Sequence, residues 1–141
     1  MIIGQIKDGI VLDHITAGKA MDIYNILKLG ELDCTVAMIK NADSPKLGKK
    51  DIIKISTLLD LDLDVLGYID SSITVNIIRD GKLVEKKHLE LPQKLVNVIR
   101  CKNPRCITMA EPQLDAIFLL NDAEKHTYRC AYCDTEKGRS L

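Results

Sequence analysis

The sequence predicts an α+β protein in two parts: a ferredoxin-like α/β sandwich with an antiparallel sheet over residues 1–91, then a small zinc-binding β domain, rubredoxin-like, over residues 92–141. Three observations predict it. Short β-rich runs are punctuated by Asp8-Gly9 and Asp80-Gly81, and Asp-Gly between apolar runs is a hairpin signal. Two stretches of helical spacing interrupt those runs without the repeated crossover units of a parallel sheet. Of five cysteines, only Cys34 precedes Pro92 and the other four follow it, a composition shift that separates two domains.

In chain order, Ile2 to Ile6 and Ile10 to Ile15 read as the two arms of an opening hairpin around Lys7-Asp8-Gly9. Thr16 is placed to cap a helix whose apolar positions Ala20, Tyr24 and Leu27, with Met21, Ile23 and Ile26 nearby, run to a stop at Gly30. Thr35 to Lys40 reads as a strand, Asn41 to Lys49 as a polar loop, and Asp51 to Ser56 as a fourth strand. A second helix follows, about Leu61 to Tyr68, ending near Gly67. Ser72 to Arg79 and Lys82 to His88 pair through Asp80-Gly81, and Leu95 to Arg100 leads into the cysteine region.

There, Cys101 and Cys106 enclose four residues, 23 residues follow, and Cys130 and Cys133 enclose two. Two close thiol pairs converging across a spacer supply the four sulfur ligands of a tetrahedral Zn²⁺. Two disulfides would need an oxidising compartment, and the N-terminus lacks a basic stretch leading into a long apolar run, so a cytoplasmic location is expected. A rubredoxin-like iron site fits less well, because its first pair is usually closer. With all four positions taken by sulfur, the zinc holds structure. The bland alternative is four buried thiols. A segment as short as Gln93 to Leu141 gains little from its own core, so a structural metal would supply most of its folding free energy.

Charge is balanced, 20 basic against 20 acidic residues, with 46% hydrophobic residues and no apolar run long enough to span a membrane. Strand parity then singles out a face. Lys50, Ile52, Lys54 and Ser56 fall opposite Ile53 and Ile55, while Val11 pairs with Asp13, and Asn76 with Ile78, on one side of their strands. Apolar walls, a carboxylate or amide for ribose hydroxyls and lysines for phosphates are what a nucleotide needs. Solvated edge lysines are the plainer reading. His14, His88 and His126 form no arrangement that orients a nucleophile, no serine sits in an elbow, and Cys34 reads as a buried small residue, so no enzyme is expected.

Taken together, Gly9-Ile10-Val11-Leu12-Asp13-His14-Ile15, Gly48-Lys49-Lys50-Asp51-Ile52-Ile53-Lys54-Ile55, Thr74-Val75-Asn76-Ile77-Ile78 and the cysteine segments with Asn103, Ala110-Glu111-Pro112 and Cys130-Ala131-Tyr132-Cys133 resemble the regulatory chain of aspartate carbamoyltransferase over nearly the full length. The resemblance implies a non-catalytic subunit of pyrimidine biosynthesis. Its N-terminal domain would bind CTP and ATP as competing allosteric effectors. Its zinc domain would dock on the catalytic chain, and regulatory chains would pair as dimers. Carried over by position, the nucleotide pocket would use Ile6, Val11, Asp13, His14, Lys50, Ile52, Lys54, Asn76, Ile78, Leu83 and Lys86, and the zinc would be held by Cys101, Cys106, Cys130 and Cys133. Leu83 and Lys86 differ in parity, so both reach the ligand only if a bulge or strand end intervenes. The N-terminus is shorter than in enterobacterial chains, and Gly81 replaces a larger side chain. The rival function is a zinc ribbon that binds nucleic acid through Lys102, Arg105, Arg129 and Arg139. Balanced charge, one Phe and no Trp argue against it, and neither nucleic acid nor membrane is expected as a partner.

Overall fold

Alternating apolar residues in four of five strands give a sheet with one sealed face. The computed structural model describes residues 7–46 and 48–137, and the chain divides into two compact units, Met1–Glu90 and Leu91–Leu141. In the first unit the strands are β1 (Gly9–Thr16), β2 (Val36–Ser44), β3 (Gly48–Ile55), β4 (Thr74–Arg79) and β5 (Lys82–His88). They form one antiparallel sheet in the order β2-β3-β1-β4-β5. Helix α1 (Ala20–Ile26) connects β1 to β2, and α2 (Leu63–Ile69) connects β3 to β4. Ala20, Ile23, Leu66 and Ile69 from the helices bury against Ile10, Leu12, Ile53, Ile55 and Val75, so both helices cover one face of the sheet. Cys34 packs half-buried at the margin of that core.

Several elements differ from the local reading. The first arm of the opening hairpin, Ile2 to Ile6, lies outside the described residues, and both edges of β1 are taken by β3 and β4. Lys7 and Asp8 instead serve the β4–β5 turn: the Lys7 carbonyl accepts from Gly81 N–H at 2.8 Å and the Asp8 carboxylate from Asp80 N–H at 3.0 Å. That turn is as expected, with Asp80 and Gly81 both at positive φ (52° and 75°), the geometry that matches strand twist.

Thr16 is the last residue of β1 and does not cap α1. Lys19 holds the N-cap position, its side chain donating to the Ile69 carbonyl at 3.0 Å and making no cap, and the carboxylate of Asp51, from β3, accepts from Gly18 and Ala20 N–H at 2.9 and 3.2 Å. The stop is also displaced: Lys28, at φ 54°, takes the left-handed conformation. Gly30 sits inside the short 3₁₀ turn that follows, where an added Cβ would meet the Tyr24 hydroxyl at 3.0 Å. Asn41 to Lys49 is mostly hairpin, since β2 runs to Ser44 and β3 begins at Gly48. Asp62 caps α2 by accepting from Asp64 and Val65 N–H, and Gly67 is a buried helical residue before the real end at Asp70.

The second unit is a four-stranded antiparallel sheet in the order β6-β7-β8-β9, made of Lys94–Val96, Ile117–Asp122, Thr127–Cys130 and Glu136–Lys137, with the one-turn helix α3 (Ile107–Ala110). Leu95, Ile99, Ala116, Phe118 and Tyr128 form its small core, and the Tyr128 hydroxyl donates to the Pro92 carbonyl at 2.7 Å. The chain is α+β, with the helices concentrated in the first unit and the second nearly all β. Among the described residues no helix is long and apolar enough to cross a membrane.

Candidate functional site

Because Leu12, Ile53 and Val75 point into the core, their strand neighbours point to the face that no helix covers among the described residues. Register aligns these neighbours across the sheet. Lys86 stands opposite Asn76, Asn76 opposite Val11, and Val11 opposite Lys54, making one row over four strands. The adjacent row holds Leu83 and Ile78, and the row on the other side holds Asp13, Thr74 and His88. Leu83 and Lys86 share the open face because Val84 is an extra residue in β5: Ile77 pairs with Glu85 and Ile78 with Leu83, so the pleat slips by one. Among the described residues neither Lys54 nor Lys86 has an ion-pair partner.

A second bulge shapes the Asp13 end. Leu12 pairs with Ile53 and Ile15 with Asp51, so Asp13 and His14 together oppose Ile52, and His14 takes φ 57°. The Asp13 Oδ1 accepts from His14 N–H at 2.6 Å and from Lys50 Nζ at 2.9 Å. Burial works to raise the Asp13 pKa, but the Lys50 and His14 hydrogen bonds and their charges outweigh it and hold the carboxyl below its ordinary range. His14 Nδ1 lies 3.2 Å from the hydroxyl of buried Thr74. Of the eleven candidates for a nucleotide site, Ile6 lies outside the described residues. Val11, Asp13, Lys50, Ile52, Lys54, Asn76, Ile78, Leu83 and Lys86 come together on the open face, and His14 sits in its bulge.

Sequence reasoning missed Asp51 and Thr74. Asp51 is fully buried and also accepts, through Oδ1, from Asn41 N–H at 3.0 Å. Asn41 belongs to a third bulge, where Lys40 and Asn41 oppose Asp51. One carboxylate therefore ties the start of α1 and the bulge of β2 to the strand that presents Lys50 and Ile52. Two open cavities lie elsewhere. One of about 450 Å³ is lined by Ile10, Leu58, Leu61, Val75, Ile77 and Arg79 among others. One of about 530 Å³ is lined by Thr16, Ala17, Gly48 and Lys49. No candidate residue lines either.

In the second unit the four cysteine sulfurs all lie within 4.8 Å of one another. Cys101 approaches Cys133 at 3.5 Å and Cys106 approaches Cys130 at 3.8 Å. Zinc–sulfur bonds of about 2.3 Å in a tetrahedron require sulfurs roughly 3.8 Å apart, so the donor set fits one Zn²⁺. Burial pushes the Cys101 thiol up to about 12 and raises Cys130 as well. The Thr135 hydroxyl and backbone N–H lower half-exposed Cys133 to about 6. A dication at the centre is what deprotonates the buried members of such a set. Asn103 N–H points at Cys101 Sγ at 3.4 Å, and the Thr108 and Thr135 hydroxyls lie 3.0 and 3.1 Å from Cys106 and Cys133. These partners orient the ligands. Both threonines stand two residues after a cysteine, a spacing visible in the sequence.

Two family models match. Residues 1–90 match the aspartate carbamoyltransferase regulatory chain, allosteric domain, and residues 93–140 its metal binding domain. Among curated proteins, the aspartate carbamoyltransferase regulatory chain of Clostridium tetani is 54% identical, over 95% of this chain and 94% of its own. That of Clostridium acetobutylicum is 52% identical over 95% and 92%. That of Bifidobacterium longum is 46% identical over 96% and 98%.

Proposed function

The chain belongs to the family of aspartate carbamoyltransferase regulatory chains, a non-catalytic chain with an allosteric and a metal-binding domain, and from that premise we propose that it binds CTP and ATP on the open face of its first sheet. The observation that supports this most is the row Lys86, Asn76, Val11 and Lys54 beside the Asp13–Lys50 pair. It offers apolar ground for a base, acceptors for ribose hydroxyls and, for phosphates, ammonium groups that meet no carboxylate among the described residues. CTP and ATP share the site, so opposite effects require that each favour a different conformation of the sheet. Coupling of this kind amounts to about 1 to 3 kcal/mol.

The second unit is the docking module for the catalytic chain in this proposal. It exposes Val96, Ile107, Met109, Leu119 and Tyr132, more apolar surface than so small a unit needs to show water. Zinc supplies the fixed geometry of the two cysteine loops, and the exposed side chains make the contact. Two regulatory chains pair, and the complex works in the cytoplasm in pyrimidine biosynthesis.

Calorimetric titration of the zinc-loaded chain with CTP and then ATP tests the effector reading. Competitive, saturable binding, weakened by Lys54→Ala, is expected. A folded, zinc-loaded chain that binds neither would sink it. For docking, chelation of the metal is expected to release the chain from its catalytic partner.

A further inference from the structure

On the helix-covered side of the first sheet, apolar packing stops short of β5. Val75 is buried in the core and Ile77 packs against it, yet their partners across the β4–β5 pairing are Lys87 and Glu85. The cavity of about 450 Å³ lies at this margin. Ile10, Val75 and Ile77 supply strand residues to its lining, and the segment before α2 supplies the rest of its apolar surface. There Leu58, Leu59, Leu61 and Leu63 crowd into six residues, of which only Leu63 belongs to a helix. None of the four is fully buried, and Leu58 is 36% exposed. So much aliphatic surface on a connecting segment suits an apolar ligand lying against it.

Three charged residues share the lining: Asp60, Arg79 and Lys87. Lys87 already has the Glu85 carboxylate 3.6 Å away. Arg79 and Asp60 meet no ion-pair partner among the described residues, so they do not neutralise each other although both border one cavity. A guanidinium matches a carboxylate, which it takes in two parallel hydrogen bonds. Asp60 in the same lining opposes a second negative charge. Among the described residues no aromatic side chain lines the cavity, which therefore offers a ring nothing to stack on. We propose that this cavity binds a small aliphatic monocarboxylate, its chain against Ile10, Ile77 and the leucines and its carboxylate on Arg79. Its volume falls within the roughly 300 to 1,000 Å³ of small-molecule sites. Ile10, Val75 and Ile77 alternate along β1 and β4 with Val11, Asn76 and Ile78, so the site lies behind the face assigned to nucleotides. It shares no residue with that reading and does not depend on it.

Calorimetry on the full zinc-loaded chain, with straight-chain carboxylates from butanoate to octanoate, tests the proposal. Affinity is expected to rise about fourfold per added methylene. Arg79→Gln should lower it about tenfold at every chain length. Asp60→Asn removes a repulsion and should tighten binding about twofold, an effect that fades with added salt. Methyl NMR locates the ligand: Ile10, Val75, Ile77 and the four leucines shift with octanoate, while Val11 and Ile78 on the other face stay. Shifts confined to Val11 and Ile78, or an octanoate affinity unchanged in folded Arg79→Gln, overturn the proposal. So does a folded, zinc-loaded chain that shows no saturable binding. L-Leucine and 4-methylpentanoate, which differ only in the amino group, decide the ligand class. The monocarboxylate should bind more tightly; tighter binding of leucine would place its ammonium on Asp60 and overturn the class in favour of an amino acid.

Discussion

The two units solve the problem of stability differently. Among the described residues, the first seals twelve apolar side chains between a five-stranded sheet and two helices, and it secures its turns with buried carboxylates, Asp51 and Asp70. The second has a core of a few side chains around Phe118 and Tyr128 and gathers four sulfurs that only a cation can bring into register. The difference teaches where function can sit. A sheet already held from one side is free to leave its other face open for a ligand. A metal-held unit can expose apolar residues for a partner without depending on them for its fold.

Removing the metal should give the largest effect and should separate the units. A structural zinc contributes on the order of 10 kcal/mol of apparent folding free energy, so chelation or Cys130→Ser is expected to unfold residues 91–141. Circular dichroism and thermal melting would show one transition lost and one kept. A single shared transition would break the comparison.

Leu12→Ala, at a fully buried position of β1, should cost the first unit about 3 to 5 kcal/mol and leave metal affinity unchanged. Denaturant melts read against zinc titrations check both halves of that statement. Asp51→Ala should cost about 3 kcal/mol, because three backbone N–H groups from α1 and the β2 bulge lose their acceptor. Amide exchange at Gly18, Ala20 and Asn41 should quicken together. If only one of them quickens, Asp51 does not couple the two elements. Asp62→Ala removes an N-cap and should cost about 1 kcal/mol, read as fraying at Asp64 and Val65.

Acid gives the smallest effect. Burial works to raise the Asp70 pKa, yet hydrogen bonds from the Ser72 hydroxyl and from Thr16 and Ser72 N–H hold it below its ordinary 3.8. A folded-state pKa below the unfolded one adds stability above the unfolded value, and that stability is lost as pH falls through the folded value. Asp70→Asn should therefore flatten the acid limb of the stability profile and leave its slope near neutrality unchanged.

Much of this was legible in the residues. Cysteine spacing gave the metal set, Asp80-Gly81 gave its turn, and parity placed Val11, Asp13, Lys54, Asn76 and Ile78 on one face. What escaped is what is settled at a distance. Thr16 looks like a helix cap from its neighbours, but the acceptor for that helix is Asp51, some thirty residues on in the next strand pair. The bulges at His14, Asn41 and Val84 carry no local mark, since each is fixed by its pairing with a neighbouring strand; the one at His14 keeps Leu12 and Ile15, on either side of it, both in the core. Without the Val84 bulge, Leu83 and Lys86 could not share a face, and strand parity alone could not decide between them.

The most direct test of the claim that the two units stand on separate supports is a CTP titration of the chain before and after full chelation of zinc, followed by NMR of the open sheet. The account predicts that resonances of Val11, Lys54 and Asn76 shift with CTP to the same extent in both states, while those of Phe118 and Tyr128 collapse on chelation. Loss of CTP binding in step with loss of the metal would contradict it.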